Sequence, residues 1–214
     1  MSTSRRSFTR EPPEQRKEAL ITATLTLMAE AGPAAATVRA IADKAGISQG
    51  MIRHYFSTKE ELIVAAYEHH MQAMTEATAA QGSQTGTAAD RLENFVIASL
   101  TPPVVDPSAM ALWAGFIHMI RRDAAMRDTH RRTYYNFRDR LEALIGAALR
   151  EAGQIAPPAK VRRHAIACNA VIDGLWLEGG ALPDAFDEGE LAEIGLTSIA
   201  AIIGLEFHKK ERAL

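Results

Sequence analysis

The sequence has almost no cysteine: Cys168 is the single one in 214 residues. That excludes an intramolecular disulfide and a cysteine-built zinc cage, and it fits a reducing compartment. Long hydrophobic runs are also missing. The longest uncharged apolar stretch near the C-terminus, Ile194 to Leu205, is about half of the roughly 20 residues that a spanning helix needs. Arg5, Arg6 and Arg10 have no hydrophobic stretch behind them, so this end does not read as a secretory signal. A cytoplasmic chain with no membrane partner is expected. Strand-like alternation of β-branched residues is absent, which argues against a sheet. The net charge of −2 and the 47% apolar content argue against disorder. The length allows one large domain, or a small one joined to a larger one, with a core that needs no staples.

Catalytic signatures are lacking as well. HExxH, GxSxG, GxGxxG and the phosphate-loop pattern do not occur. The nearest approach to a metal cluster is Glu68-His69-His70, but adjacent residues on a helix point about 100° apart and do not converge. No catalytic residue, metal or cofactor is expected, and an enzyme is disfavoured.

What is present is helix, in quantity, and an uneven charge. Residues 1–59 hold nine Lys or Arg and five Asp or Glu, a net of +4, while the remainder carries −6. A basic segment on an acidic body suggests a polyanion-binding end, although on charge alone a solvated basic face is the plainer account. The acidic body argues against a non-specific architectural DNA binder. The first helix is expected from Pro13 to about Glu30, stopped by Ala31-Gly32-Pro33. Two short helices follow, Val38 to Ala45 capped by Thr37 and Gln49 to Tyr55 capped by Ser48. Ser57-Thr58-Lys59-Glu60 reads as a capping box opening a long helix to about Gln81, and 82–86 as a loop. Helices are then expected over 88–100, over 108–152 with one break near 123–128, and after Pro157-Pro158 to about Glu178, closed by Gly179-Gly180 and Pro183. The last helix is expected from Asp187 to about Phe207.

The informative stretch is Thr37 to Leu62, TVRAIADKAGISQGMIRHYFSTKEEL. Two short helices around a glycine turn form a helix-turn-helix pattern, for which an ordinary helical hairpin is the plainer alternative. Ala42 is small enough for the helix crossing, Gly46 suits the turn, and Ile41, Ile47 and Ile52 supply a miniature core. Gln49, Gly50, Arg53 and His54 are left on the outer face, with groups able to meet base edges and phosphates.

The run from Ser48 to Leu62 closely resembles the DNA-binding signature of TetR-family repressors, and the likeness is specific over about residues 15–65. It implies phosphate contacts at Thr37, Tyr55 and Lys59, with Ser48 at the entering end of the recognition helix. It also implies that Gln49, Gly50, Arg53 and His54 form the recognition face. Arg53 stands where many relatives have an aromatic residue and Gln49 where lysine is common, so the operator cannot be borrowed from relatives. Phe56 reads as core, and Tyr55 either as core or as a phosphate contact. Arg5, Arg6 and Arg10 read as an arm on the DNA or as a solubilising tail.

A second resemblance is narrower. Val171-Ile172-Asp173-Gly174-Leu175-Trp176-Leu177 is similar to the DGLW segment of the choline-sensing BetI branch of that family, and Trp113-Ala114-Gly115-Phe116 falls where that branch has an aromatic-rich helix. The resemblance implies an effector site, with Trp113, Phe116, Tyr134, Asp173 and Trp176 as its candidates and a quaternary ammonium such as choline as one effector. Aromatic faces attract such cations, while large aromatics at helical spacing also make ordinary core. The partner of Asp173 stays open between a ligand cation, a helix cap and Arg121 or Arg122.

The expected fold is therefore all-α, with about nine helices. A helix-turn-helix DNA-binding domain over 1–57 is joined to a larger effector-binding and dimerisation domain over 58–214. A homodimer is expected through the last two helices, by Leu191, Ile194, Ser198, Ile199, Ile202 and Phe207 with Ile166, Val171 and Leu175. Such a dimer would grip a palindromic double-stranded operator, block transcription and let go on binding a small effector.

Overall fold

The computed structural model describes residues 12–81 and 86–207. Among these residues there are nine α-helices, two short 3₁₀ turns and no strand, as expected of an all-α chain. Arg5, Arg6, Arg10 and most of the expected 82–86 loop lie outside the described residues. No described helix is long and apolar enough to cross a membrane. The chain divides into two compact units at Ala66/Tyr67.

The first unit contains α1 (Pro13–Ala31), α2 (Val38–Ala45), α3 (Gln49–Tyr55) and the opening of α4 (Lys59–Gln81). Leu20, Ile21, Ala23 and Met28 bury one face of α1. Ile41, Ala42, Ile52 and Phe56 close the small core, each 3% exposed or less. Ile47 is only half-buried. Thr37 caps α2, its hydroxyl oxygen accepting from the Ala40 N–H at 3.1 Å. Gly46 ends α2 at φ 66°, and no atom lies within 4 Å of a Cβ built there. Backbone conformation rather than space therefore selects glycine at this turn.

Two caps differ from expectation. Ser48 occupies the N-cap position of α3, but its side chain makes no capping bond. Ser48, Gln49 and Gly50 are all exposed, so water can serve the first-turn N–H groups. The box that opens α4 is shifted by one residue. Thr58 Oγ1 accepts from the Glu61 N–H at 3.0 Å, and the Glu61 carboxylate accepts from the Ser57 N–H at 2.7 Å. Thr58 and Glu61 do the work assigned to Ser57 and Glu60.

The second unit contains the rest of α4 with α5 (Ala88–Ser99), α6 (Pro107–Ile120), α7 (Ala124–Glu151), α8 (Pro158–Ala181) and α9 (Glu190–Ile203). Asp106 and Asp123 cap α6 and α7 through their carboxylates, so the break expected near 123–128 falls at 121–123. α5 packs on α7 and α9, and α8 on α6, α7 and α9. Leu92, Val96, Leu141, Ile145, Ala165, Cys168 and Ile199 form the fully covered centre.

Gly179 and Gly180 do not close α8, which runs on to Ala181. They are sites of close approach. A Cβ on Gly179 would meet the Leu191 side chain and lie 2.8 Å from Val105 Cγ1, and one on Gly180 would lie 2.7 Å from Met110 Cβ. Helix α9 is shorter than expected at both ends. The Glu190 carboxylate accepts from the Asp187 N–H at 2.9 Å ahead of the helix, and the chain turns at Gly204 after Ile203.

His70 points inward from α4. Its Nε2 is buried without a hydrogen-bond partner, and the ring lies 6.5 Å from that of Phe116. Burial, with a smaller push from His69, lowers its pKa to about 4. In the unfolded chain a histidine titrates near ~6.5. Between these values the unfolded state takes up a proton that the folded state refuses, so stability is full above the higher value and falls as pH drops toward the lower.

Two outcomes are expected. Gly180→Ala gains about 1 kcal/mol of helix propensity, but Met110 Cβ is fixed to the backbone of α6. Overpacking of about 1–3 kcal/mol wins, and thermal denaturation shows a lowered Tm. In urea melts at pH 7 and pH 5, wild-type protein loses more stability on acidification than His70→Leu; an equal loss refutes the assignment to His70.

Candidate functional site

Two regions stand out, one in each unit. In the first, α3 has seven residues and two unlike faces. Ile52 and the following Phe56 turn inward and are buried, while Gln49, Gly50, Arg53 and His54 are exposed. Tyr55 is half-buried, with its ring edge-on to His54 at 5.3 Å. Lys59, in the first turn of α4, is half-buried, and Thr37 is exposed at its cap. Sequence reasoning missed three cations near this face. Arg16 Nη1 reaches Met51 Sδ at 3.5 Å, Lys17 Nζ stands 5.8 Å from the centre of the Phe56 ring, and Arg39 is exposed on α2. The signal for Arg16 and Lys17 was their place one turn into α1, but only the fold brings that turn to α3.

In the second unit a cavity of about 80 Å³ opens among α4, α5, α6, α7 and α8. At roughly 10–15 Å³ for one water, it holds a molecule of several heavy atoms. Trp113, Tyr134, Asp173 and Trp176 line it, so the fold brings together four of the five expected residues. Phe116 is not in the wall. It is fully buried against Tyr67, with ring centres 4.8 Å apart, because its side of α6 faces α4 and the start of α7. Trp113 and Trp176 meet edge to face at 5.8 Å, and the Trp176 Nε1–H donates to the Val104 carbonyl at 2.8 Å. The reading from sequence did not include Met71, Met74, Thr75, Thr78, Ser99 or Phe137. Of these, the hydroxyls of Thr75, Thr78 and Ser99 donate back to carbonyls four residues earlier, which lets polar side chains sit in an apolar wall. Threonines three apart on a helix of apolar residues were the legible sign.

The polar end of the cavity is held by hydrogen bonds rather than by the arginines considered above. Asp173 Oδ2 accepts from the Tyr134 hydroxyl at 2.6 Å and from Asn169 Nδ2 at 2.7 Å. Asn169 Nδ2 also donates to the Tyr134 oxygen at 2.7 Å. Asp173 keeps exposed surface, but the protein against its carboxyl raises the pKa above the ordinary value, while the bonds from Tyr134 and Asn169 and the nearby His130 pull it back. The Tyr134 hydroxyl is pushed up to about 12, first by burial and then by the Asp173 carboxylate. Tyr134 is therefore a neutral donor at physiological pH. Asp173 is the acidic side chain in the cavity wall.

The expected dimer stripe is split by packing within the chain. Leu191 and Ile199 are buried in their own core, and Val171 and Leu175 are half-buried. Ile166, Leu177 and Ile194 stay 37%, 41% and 39% exposed, and Ala170, Gly174 and Ala201 beside them are exposed too. The triplet at 68–70 makes no metal site. Glu68 pairs with Arg132 at 2.8 Å, His69 is exposed, and no group of three potential ligands gathers among the described residues.

Comparison with known proteins assigns both parts of the chain. Residues 20–66 match bacterial regulatory proteins of the tetR family, and residues 88–204 match the C-terminal part of BetI-type transcriptional repressors. The HTH-type transcriptional regulator BetI of Burkholderia thailandensis is 33% identical over 175 residues, 81% of this chain and 86% of that one. A transcriptional regulator from Pseudomonas aeruginosa PAO1 superposes with a TM-score of 0.82 at 29% identity, over 92% of this chain and 94% of the other. A regulator from Saccharomonospora viridis, solved in complex with choline, shares the fold at a TM-score of 0.71 and 16% identity, over 85% and 94%. The relatives are named as regulators of transcription rather than enzymes. On these matches the protein belongs to the TetR family of DNA-binding transcriptional regulators, with a C-terminal part of the BetI repressor type.

Proposed function

We propose that the protein works as a homodimer that holds a palindromic operator and releases it when a small cation enters the cavity. The observation that carries this reading is the two-faced α3, whose Ile52 and the adjoining Phe56 are buried while Gln49, Gly50, Arg53 and His54 face solvent. Arg53 offers a bidentate fork to guanine, and Gln49 suits adenine. Thr37, Ser48, Tyr55 and Lys59 serve phosphates. The uncommitted Ser48 hydroxyl supports this assignment, since it is not spent on capping α3. A two-fold dimer would set its recognition helices about one DNA turn, roughly 34–36 Å, apart.

The dimer face we assign is the exposed stripe Ile166, Ala170, Gly174 and Leu177 on α8 with Ile194 and Ala201 on α9. Small residues beside the large ones allow two such faces to pack closely as a four-helix bundle. The effector we assign is a quaternary ammonium such as choline. Trp113 and Trp176 supply the aromatic faces, Asp173 the countercharge, and the volume suits a small molecule. The choline complex of the S. viridis regulator supports the same reading. Binding there would shift α4, whose first turn carries Lys59, and coupling of about 1–3 kcal/mol would weaken DNA binding roughly 5–150-fold.

Gel-shift titration of DNA from upstream of the protein's own gene, with and without choline, tests the whole reading. Arg53→Ala is expected to cost about 1–3 kcal/mol of operator affinity and to relax preference at one base position; unchanged affinity and preference overturn the recognition face. Leu177→Asp combined with Ile194→Asp is expected to give a folded monomer in sedimentation, with operator binding lost. A dimer that survives both charges refutes the assigned stripe.

A further inference from the structure

We propose that occupancy of the cavity is passed to α4 through His130 and Tyr67, two residues that line neither the cavity nor the DNA-facing helix. The proposal rests on reading the cavity as the effector site and names the side chains that transmit its state.

The contacts form an unbroken series. Asp173, in the cavity wall, holds the Tyr134 hydroxyl at 2.6 Å. The Tyr134 ring lies 5.5 Å from that of His130, one turn earlier on α7 and tilted by 32°. His130 Nδ1 is 2.6 Å from the Tyr67 hydroxyl. Tyr67 is fully buried on α4, with its ring wedged against Phe116. The series begins at the one acidic residue of the wall and ends on the helix that starts at Lys59.

Burial raises the Tyr67 pKa far above its ordinary value, so the hydroxyl keeps its proton. Burial lowers that of His130, which favours the neutral imidazole, and its Nδ1 accepts from Tyr67 or donates to it according to the tautomer. A buried hydroxyl that loses its partner suffers its full desolvation. Tyr67 must therefore follow His130 or turn to Thr133, the other side chain that hydrogen-bonds it. A contact with two discrete arrangements is what a transmission element requires.

A second polar link joins the same helices, the 2.8 Å pair between Glu68 and Arg132, with side chains 35% and 58% exposed. Solvent screens it, so its making and breaking change little. The covered Tyr67–His130 bond is the link with consequence. A cation at Asp173 draws the carboxylate toward itself and loosens its hold on the Tyr134 hydroxyl. The Tyr134 ring then moves against His130, and Tyr67 carries the change into α4. The two states differ in their contacts with the cation, as any shift of population demands.

The test uses the full-length protein, choline chloride and the upstream duplex. Tyr67→Phe keeps the ring and removes the hydroxyl. It is expected to bind choline within about twofold of wild type in calorimetry, and to bind DNA normally without choline. The choline-induced loss of DNA affinity is expected to shrink at least ~5-fold. Full release by Tyr67→Phe overturns the proposal. A ligand-free measurement decides it where wild type fails to bind choline, an outcome that would sink the effector reading alone, or where Tyr67→Phe fails to fold. The His130 ¹⁵Nδ1 resonance is compared between wild type and Asp173→Asn. A displaced resonance supports transmission from Asp173 to His130, and an unmoved one refutes it.

Discussion

A helix of seven residues has no independent stability, since isolated helices shorter than about 12–15 residues are marginal even with favourable sequences. The outward face of α3 therefore exists because Ile52 and the adjoining Phe56 are fixed in the core beneath it. Ala42 and Gly46 serve the same end. The first lets α2 lie close beside α3, and the second turns the chain in the left-handed conformation that α3 needs in order to begin. Burial of two side chains sets the direction of three polar ones, those of Gln49, Arg53 and His54. This is also why Arg53 can be exchanged without disturbing the fold, because its side chain lies on the face that the core does not use.

The second unit has the opposite problem, for it places polar groups where apolar ones would pack more simply. Asn169 is 2% exposed and its Oδ1 has no partner, while its Nδ2 serves both Tyr134 and Asp173. A partly satisfied network of this kind is less stable than an apolar replacement. It makes sense where the carboxylate has to be presented in a fixed direction. Asn169 and Tyr134 hold one oxygen of Asp173, which orients the side chain and leaves the other oxygen free of those two donors. The Trp113–Trp176 pair supplies the remaining constraint, anchored by the indole bond to Val104. Specificity for the proposed cation would then come from geometry that these side chains already have.

The elements that local rules govern could be read from the sequence. Proline, glycine and capping residues mark α1, α2 and α3, and the structure places their ends within a residue or two. The misplacements have one cause. Gly179-Gly180 looks like a stop, but Leu191, Val105 and Met110 crowd against it from elsewhere in the chain, so the glycines permit contact instead of ending a helix. Asp173 among apolar residues signalled a need for a partner, yet Tyr134 is 39 residues away and no spacing rule reaches it. Leu191 and Ile199 share an apolar stripe with Ile194, and the positions of α5 and α8 decide which of them is inside. Phe116 failed for the same reason, since a helix in a bundle has several apolar faces and sequence period does not say which one meets a cavity.

Charge completes the division of labour. Residues 1–59 carry +4 and the rest −6. Phosphates reward any cation regardless of base sequence, so a chain basic throughout would bind all DNA and gain little at one site. An acidic larger part lowers that uniform attraction without touching the residues that read bases. The balance then shifts toward the few contacts that distinguish one sequence from another, which the recognition face proposed above gives to Gln49, Arg53 and His54.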